Sequence, residues 1–364
     1  HNKKLFFFLP NFSKGGAGES VSKLILDLSK HSIECRVICL GKCHYKKLLI
    51  KKNIKIFELK NSSTFFAMPK IKKILKDEKE INKKNIFISN INYANVLSIL
   101  FLRSISNLKI ILFERTPIQE LNYNFGSFNK FIKNSVIKFL IKFTYKYADA
   151  IVCNNRITSK DFKLFLNKKI FTIYSKSIDK IYTLKKIKKS KFIKILWVGR
   201  FTNEKNFSCM IHAANILKKQ NILIYVLGSG ENKLKYLSII KNYGISNKFK
   251  FFGFKKNIEF YYRKCELFVS TSFYEGFPNS MIQAINFGLP VISSRSYGGA
   301  NEILKKNKYG TFYENNDYKS LSKQILLYNR NKKQFQRKAK LAHKSLKKFK
   351  FSEISNNFLK LIKK

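Results

Sequence analysis

No run of about 18 consecutive apolar residues, the length a membrane-spanning helix needs, occurs in the 364 residues. The nearest approach, "NVLSILFLRSISNLKIILF", is broken by Arg103 and Lys109. Cysteine is scarce: six scattered residues are too few for a disulfide framework in a chain of this length, which fits a reducing compartment. Cys35, Cys39, Cys43 and His44 lie close enough in sequence to suggest a metal cluster. However, "ECRVICL" alternates so that Cys35, Val37 and Cys39 share one strand face, the pattern of thiols buried in a core. Acidic residues are few as well, 21 against 73 Lys plus Arg, for a net charge of +52. No zinc-finger, RNP or helix-turn-helix pattern accompanies that charge, so nucleic acid is not the expected partner.

The excess of Lys and Arg would attract nucleic acid, anionic lipid or a phosphorylated substrate. Lys, Ile, Asn and Phe abound together, as codon bias toward A and T would produce, so charge alone does not choose among these. At 45% hydrophobic and 15% aromatic residues, the chain can fill two cores, and its length predicts two domains rather than one. The opening "KKLFFFLP" reads as a buried strand rather than a signal peptide, because Pro10 cuts its apolar run short and no cleavage-like segment follows. The chain starts with His1 instead of Met.

Short apolar runs alternate with longer amphipathic ones, the order of strand–helix–strand units that build a parallel sheet. "CRVICL", "NIKIFEL", "NIFISN", "LKIILFE" and "DAIVCNN" follow the first strand, and "SVSKLILDLSKH" predicts a helix with Val21, Leu24, Ile25 and Leu28 on one face. A second series begins at "FIKILWVGR" and continues through "NILIYVLGSG", "KFKFFGF", "ELFVSTS" and "LPVISS". The expectation is an α/β chain of two Rossmann-like, doubly wound parallel-sheet domains facing a cleft, with ligands at the carboxyl ends of the strands. The first domain is expected over 1–183, a basic linker over 184–194 and the second domain over 195–345. The C-terminal helix, 346–364, is expected to pack back toward the first domain.

Several loops at strand ends carry residues suited to a phosphorylated ligand. Gly15, Gly16 and Gly18 separate the first strand from the first helix, where a tight turn brings amides and a positive helix end near an anion, although plain turn chemistry is the better account of these glycines taken alone. "WVGRFTNEKNF" places Gly199 and Arg200 at a strand end with Lys205 five residues on, a forked cation and a point charge able to grip a diphosphate. Gly228 and Gly230 in "VLGSGENKL" sit at a similar turn, or simply start a helix. "STSFYEGFPNSMIQAINFGLPVISS" sets Glu275, Gly276, Phe277 and Pro278 in a loop before a helix that starts near Asn279. The carboxylate is suited to sugar hydroxyls, the helix end to phosphates, and Gln283, one turn in, to a ribose.

The last stretch resembles the donor-site signature of the large retaining glycosyltransferase family with the GT-B fold, glycosyl transferases group 1. That signature is Glu, seven residues, Glu; here Gln283 stands in the second place. "KGGAGES", "ADAIVCNNRITSKDF", "IYSKSIDKIY", "VGRFTNEKNF" and "GGANEIL" are similar, in order, to the motifs that surround it, so the resemblance spans nearly the whole chain. It implies sugar transfer from a nucleotide diphosphate sugar, UDP-linked by family frequency, to a glycan or a polyprenyl- or other lipid-linked acceptor, with retention, in cell-surface polysaccharide, lipopolysaccharide or glycan assembly. It also implies roles. Glu275 contacts the donor sugar, and Arg200 and Lys205 hold the diphosphate with amides near Gly16 and over Asn279, Ser280 and Met281. Gln283 faces the ribose, and Gly253 and Phe254 sit by the base. On the acceptor side the family's histidine has no equivalent; Glu114, Arg115 and Thr116 of "FERTPIQE" stand at that place. No Asp-x-Asp occurs, which removes the usual metal handle for a nucleotide diphosphate, so neither metal nor cofactor is expected and cations with helix dipoles must stabilise the leaving group.

Residues 129–147, "NKFIKNSVIKFLIKFTYKY", interleave lysines at 130, 133, 138, 142 and 146 with Phe131, Val136, Phe139, Leu140, Phe143 and Tyr147. A helix over this stretch has a basic and an apolar face, as in helices lying on anionic membranes, or is a core-packed helix with a solvated lysine face. The expected location is cytoplasmic, with the membrane surface as a candidate partner. Two other readings stay open: a homologue that binds sugar nucleotides without turnover, suggested by Gln283, and a basic nucleic-acid-binding protein.

Overall fold

Leu5, Phe6, Phe7 and Phe8 are all essentially inaccessible to solvent, which requires a strand covered on both faces, as in a parallel sheet flanked by helices. The computed structural model describes residues 3–13, 15–31, 33–78, 84–175, 177–184, 191–255, 257–349 and 351–363. It divides into two compact units, residues 1–176 with 351–364, and residues 177–350.

The first unit holds β1 (Lys3–Phe8), β2 (Glu34–Cys39), β3 (Lys55–Glu58), β4 (Lys84–Asn90), β5 (Leu108–Glu114), β6 (Ala150–Cys153) and β7 (Phe171–Thr172). Their order in the sheet is β3-β2-β1-β4-β5-β6-β7, and every pairing is parallel. The direction of strand addition reverses between β1 and β4, the switch point at which doubly wound sheets bind ligands. The helix Gly16–Leu28 lays Val21, Leu24, Ile25 and Leu28 on the sheet. Cys35 and Cys39 face the same core, and burial pushes both thiols up to about 12, where they stay protonated.

The second unit repeats the plan with β8 (Ile193–Val198), β9 (Ile222–Leu227), β10 (Phe249–Gly253), β11 (Leu267–Ser270), β12 (Tyr274–Glu275), β13 (Val291–Ser294), β14 (Tyr297–Gly298) and β15 (Thr311–Tyr313). Six of these form a parallel sheet in the order β10-β9-β8-β11-β13-β15, while β12 and β14 pair separately. Its core centres on aromatic rings: Trp197 lies parallel to Phe201 at 5.7 Å, and Phe207 meets Phe201 at 5.4 Å and Tyr236 at 5.3 Å.

The boundary between units differs from the expected linker at 184–194. Residues 177–182 belong to the second unit because its helix Asn279–Asn286 holds them. Buried Asn286 accepts from the Tyr182 amide at 3.1 Å and donates to the Lys180 carbonyl at 2.8 Å. Residues 185–190 of that expected linker lie outside the described residues. At the other end, 346–349 stays with the second unit, where Phe349 packs edge-on against Phe277 at 5.4 Å. The helix Phe351–Lys363 belongs to the first unit: Ile354, Phe358 and Ile362, four residues apart, are buried, and the Phe358 ring lies 6.1 Å from Phe7 and 6.0 Å from Phe113.

Candidate functional site

The loops at the carboxyl ends of β8 and β11 are bound into one assembly. The Thr271 hydroxyl accepts from the Trp197 indole at 3.0 Å and donates to the Lys205 carbonyl at 2.7 Å. The Phe273 amide donates to the Glu204 carbonyl at 2.9 Å. On this base, Lys205 Nζ meets Glu275 Oε1 at 2.5 Å, and the Ser272 hydroxyl donates to the same oxygen at 2.7 Å. Both side chains are mostly but not wholly covered, 22% and 14% exposed. β12 fixes Glu275 by pairing with β14, and the Gly299 amide donates to the Gly276 carbonyl at 3.0 Å. Arg200 is oriented differently. It is largely exposed and pairs with Glu204 at 3.0 Å, within its own loop.

The glycines here serve close backbone approach. At Gly228 (φ +141°) a Cβ would lie 1.8 Å from the Gly199 carbonyl oxygen, so only glycine lets the β8 and β9 loops meet. The Gly228 amide in turn donates to the Gly253 carbonyl at 2.9 Å. Gly253 has φ +67° with open space around it, and Phe254 next to it is half exposed.

The helix Asn279–Asn286 starts after Pro278, and its first turn is already engaged. The Met281 and Ile282 amides donate to the Pro278 carbonyl at 3.0 and 3.2 Å, and Met281's side chain is buried core. The Met281 amide expected to face a phosphate is thus held within the turn. Asn279 Oδ1 accepts from the Ser177 hydroxyl at 2.6 Å, and the Ser280 carbonyl from the Tyr262 hydroxyl at 3.0 Å. Gln283 is also held. Its Oε1 accepts from Tyr262 at 3.2 Å and its Nε2 donates to the Ser177 carbonyl at 3.4 Å. A glutamate there would accept the first bond but could not make the second.

In the first unit, Gly16 opens the helix Gly16–Leu28, and at Gly18 a Cβ would lie 2.4 Å from the Ser13 carbonyl, so this turn needs glycine for packing. The expected acceptor-side trio does not act as a group. Glu114 is 1% exposed and its carboxyl accepts from Tyr145 and, at 2.7 Å, from Asn95. Burial dominates its titration and pushes it from about 4.5 up to about 8, against the opposing effect of those two hydrogen bonds. Its carboxyl is thus buried and held by Tyr145 and Asn95. Arg115 is half buried, with Nε donating to Asn90 at 2.9 Å and its carbonyl accepting from Asn154 at 2.9 Å. It lines a small pocket with Ser20, Asn154, Tyr174 and Ser175, beside half-exposed Thr116. Ser272, Thr271, Tyr262 and Ser177 escaped the sequence reading; of these only Ser272, three residues before Glu275, carried a positional signal.

Two doubly wound parallel sheets, one in each unit, are the architecture of the GT-B fold. Residues 180–345 match the model of the glycosyl transferases group 1 family. The chain is 26% identical over 380 aligned residues, covering 98% of it and 99% of the relative, to a Campylobacter jejuni enzyme. That enzyme is named N-acetylgalactosamine-N,N'-diacetylbacillosaminyl-diphospho-undecaprenol 4-alpha-N-acetylgalactosaminyltransferase. This chain is also 30% identical over 262 residues to an uncharacterized glycosyltransferase of Methanocaldococcus jannaschii, a match that spans 66% of this chain and 62% of the archaeal protein. Among solved structures, Anabaena HepE in complex with UDP and glucose superposes with a TM-score of 0.80 at 17% identity, over 99% of both chains, a likeness of fold.

Proposed function

We propose that the protein transfers a hexosyl or N-acetylhexosaminyl group from a UDP-sugar to a glycan or polyprenyl-linked acceptor, with retention and without a metal ion, in cytoplasmic assembly of a cell-surface glycan. The observation that carries this reading is the pairing of Lys205 with Glu275 at the carboxyl ends of β8 and β11 in a group 1 domain. An incoming diphosphate competes with Glu275 for the Lys205 ammonium. The cation then stabilises charge on the leaving diphosphate, and the released carboxylate, still oriented by Ser272, takes sugar hydroxyls. The lipid-linked substrate in the name of the Campylobacter relative and the UDP bound to HepE support the acceptor and donor classes. The absence of Asp-x-Asp from the sequence supports the metal-free form.

A thermal-shift screen of UDP-glucose, UDP-N-acetylglucosamine and UDP-N-acetylgalactosamine tests the donor assignment. A true donor at a hundredfold over its dissociation constant adds about 2.7 kcal/mol of stability, and Glu275→Ala reduces that gain. If no nucleotide sugar stabilises the protein, the reading fails.

A second reading, donor binding without turnover, draws on one observation: both ends of the Gln283 amide are already bonded, to Tyr262 and Ser177, where the resemblance calls for a ribose contact. Transfer of labelled sugar to any acceptor would eliminate it.

A further inference from the structure

The helix Phe128–Thr144 is apolar on two opposite sides. Its inner side, with Ile141 fully buried and Ile137 and Leu140 partly so, joins a core cluster of the first unit and accounts for its packing. The opposite side should then be polar. Instead Phe128, Phe131, Ile132, Val136, Phe139 and Phe143 recur there at helical spacing, and all are exposed, Phe128 by 73% and Phe139 by 62%. The Phe139 and Phe143 rings touch at 4.5 Å and make a continuous surface. Lys130, Lys133, Lys138 and Lys142 lie on the same helix, which contains no Asp or Glu. A contiguous exposed apolar stripe of this kind marks an interaction surface rather than ordinary solvent-facing composition.

We infer that this helix is a docking surface for an anionic lipid bilayer, lying in the interface plane with its phenylalanines among the acyl chains and its lysines against the headgroups. Charge selects this occupant. A second copy of the chain would bring the same lysines and the same +52 net charge against them, and a nucleic acid would leave the phenylalanine stripe in water. Seventeen residues at about 1.5 Å each give a contact about 25 Å long, enough for the stripe to enter as one unit. This surface does not depend on the transfer reaction, since binding to vesicles requires neither donor nor turnover.

The test is cosedimentation of the full chain with vesicles of phosphatidylglycerol and phosphatidylcholine, or of phosphatidylcholine alone, at about 0.1 M and about 1 M salt. The wild type is expected in the pellet with the anionic vesicles and released in part by salt. Phe131→Ser/Phe139→Ser/Phe143→Ser, which leaves every charge in place, should weaken binding by about tenfold or more. The three residues are exposed, so thermal unfolding of this variant should match the wild type. In a Phe139→Trp variant, fluorescence should shift to shorter wavelength on addition of anionic vesicles; Trp197, the one native tryptophan, is buried elsewhere. Equal binding by the triple variant would assign membrane affinity to bulk charge and overturn the inference. So would a Trp signal that ignores vesicles, or a wild-type dimer that the triple variant abolishes while vesicles bind neither.

Discussion

Lys205 and Glu275, seventy positions apart in sequence, meet at 2.5 Å because Thr271 ties the carbonyl of one to the strand that leads to the other. The pair is therefore built by the crossing of two strand ends, and each partner should affect a different part of the reaction. Lys205→Ala removes the cation proposed to meet the leaving diphosphate and should lower kcat by about 100- to 1000-fold. Glu275→Gln keeps the bond from Ser272 but loses the charge, and should raise KM for the donor more than Ser272→Ala does. Initial rates over a donor titration, for each variant, separate these effects.

Glu114 makes stability depend on pH. The unfolded carboxyl loses its proton near 4.5 and the folded one near 8, so between these values the folded state holds a proton that the unfolded state lacks. The stabilising contribution is complete below about pH 4.5 and declines as pH rises toward 8, by at most about 1.4 kcal/mol per unit. Glu114→Gln keeps an acceptor for Tyr145 and Asn95 without a titrating proton. Denaturant unfolding from pH 5 to 8 should show a flatter profile for the variant than for the wild type, with the variant gaining most at the alkaline end.

Close backbone approach at the β8–β9 loops predicts a contrast between two glycines. Gly228→Ala would place a methyl group 1.8 Å from the Gly199 oxygen and should cost about 3 kcal/mol or more, with loss of donor binding. Gly244, at φ +63° with nothing within 4 Å, should tolerate alanine at a cost of about 1 kcal/mol. Equilibrium unfolding of both variants decides the comparison.

Asn286 should matter more than a single buried side chain of its size, since it both donates to and accepts from the 180–182 segment. Asn286→Ala leaves the Tyr182 amide and the Lys180 carbonyl without their partner and should cost about 2–3 kcal/mol. Protease sensitivity near Tyr182 should rise with it.

The sheet strands were legible because buried parallel strands are continuous apolar runs, as in "LFFF" and "ILWV". β7, β12 and β14, at two residues each, are too short for any period to register. The position of Glu275 was readable from its loop before a helix, and that of Lys205 from its distance past a strand. Their contact was not readable, since it depends on Ser272 and Thr271 across the sheet. Glu114 was placed on the acceptor side by the resemblance alone, and its burial was not legible there, because its partners Asn95 and Tyr145 lie on two other segments. The unit boundary was misplaced because the cue lay in Asn286, about a hundred residues from the segment it holds.

The most direct test of the donor-site assignment is sugar transfer by the purified protein from UDP-N-acetylgalactosamine, UDP-N-acetylglucosamine or UDP-glucose to an undecaprenyl-diphosphate-linked glycan, followed by mass spectrometry, with Glu275→Ala alongside. The expected result is an acceptor heavier by one sugar residue with the wild type and little or none with the variant. Equal transfer by wild type and Glu275→Ala would contradict it.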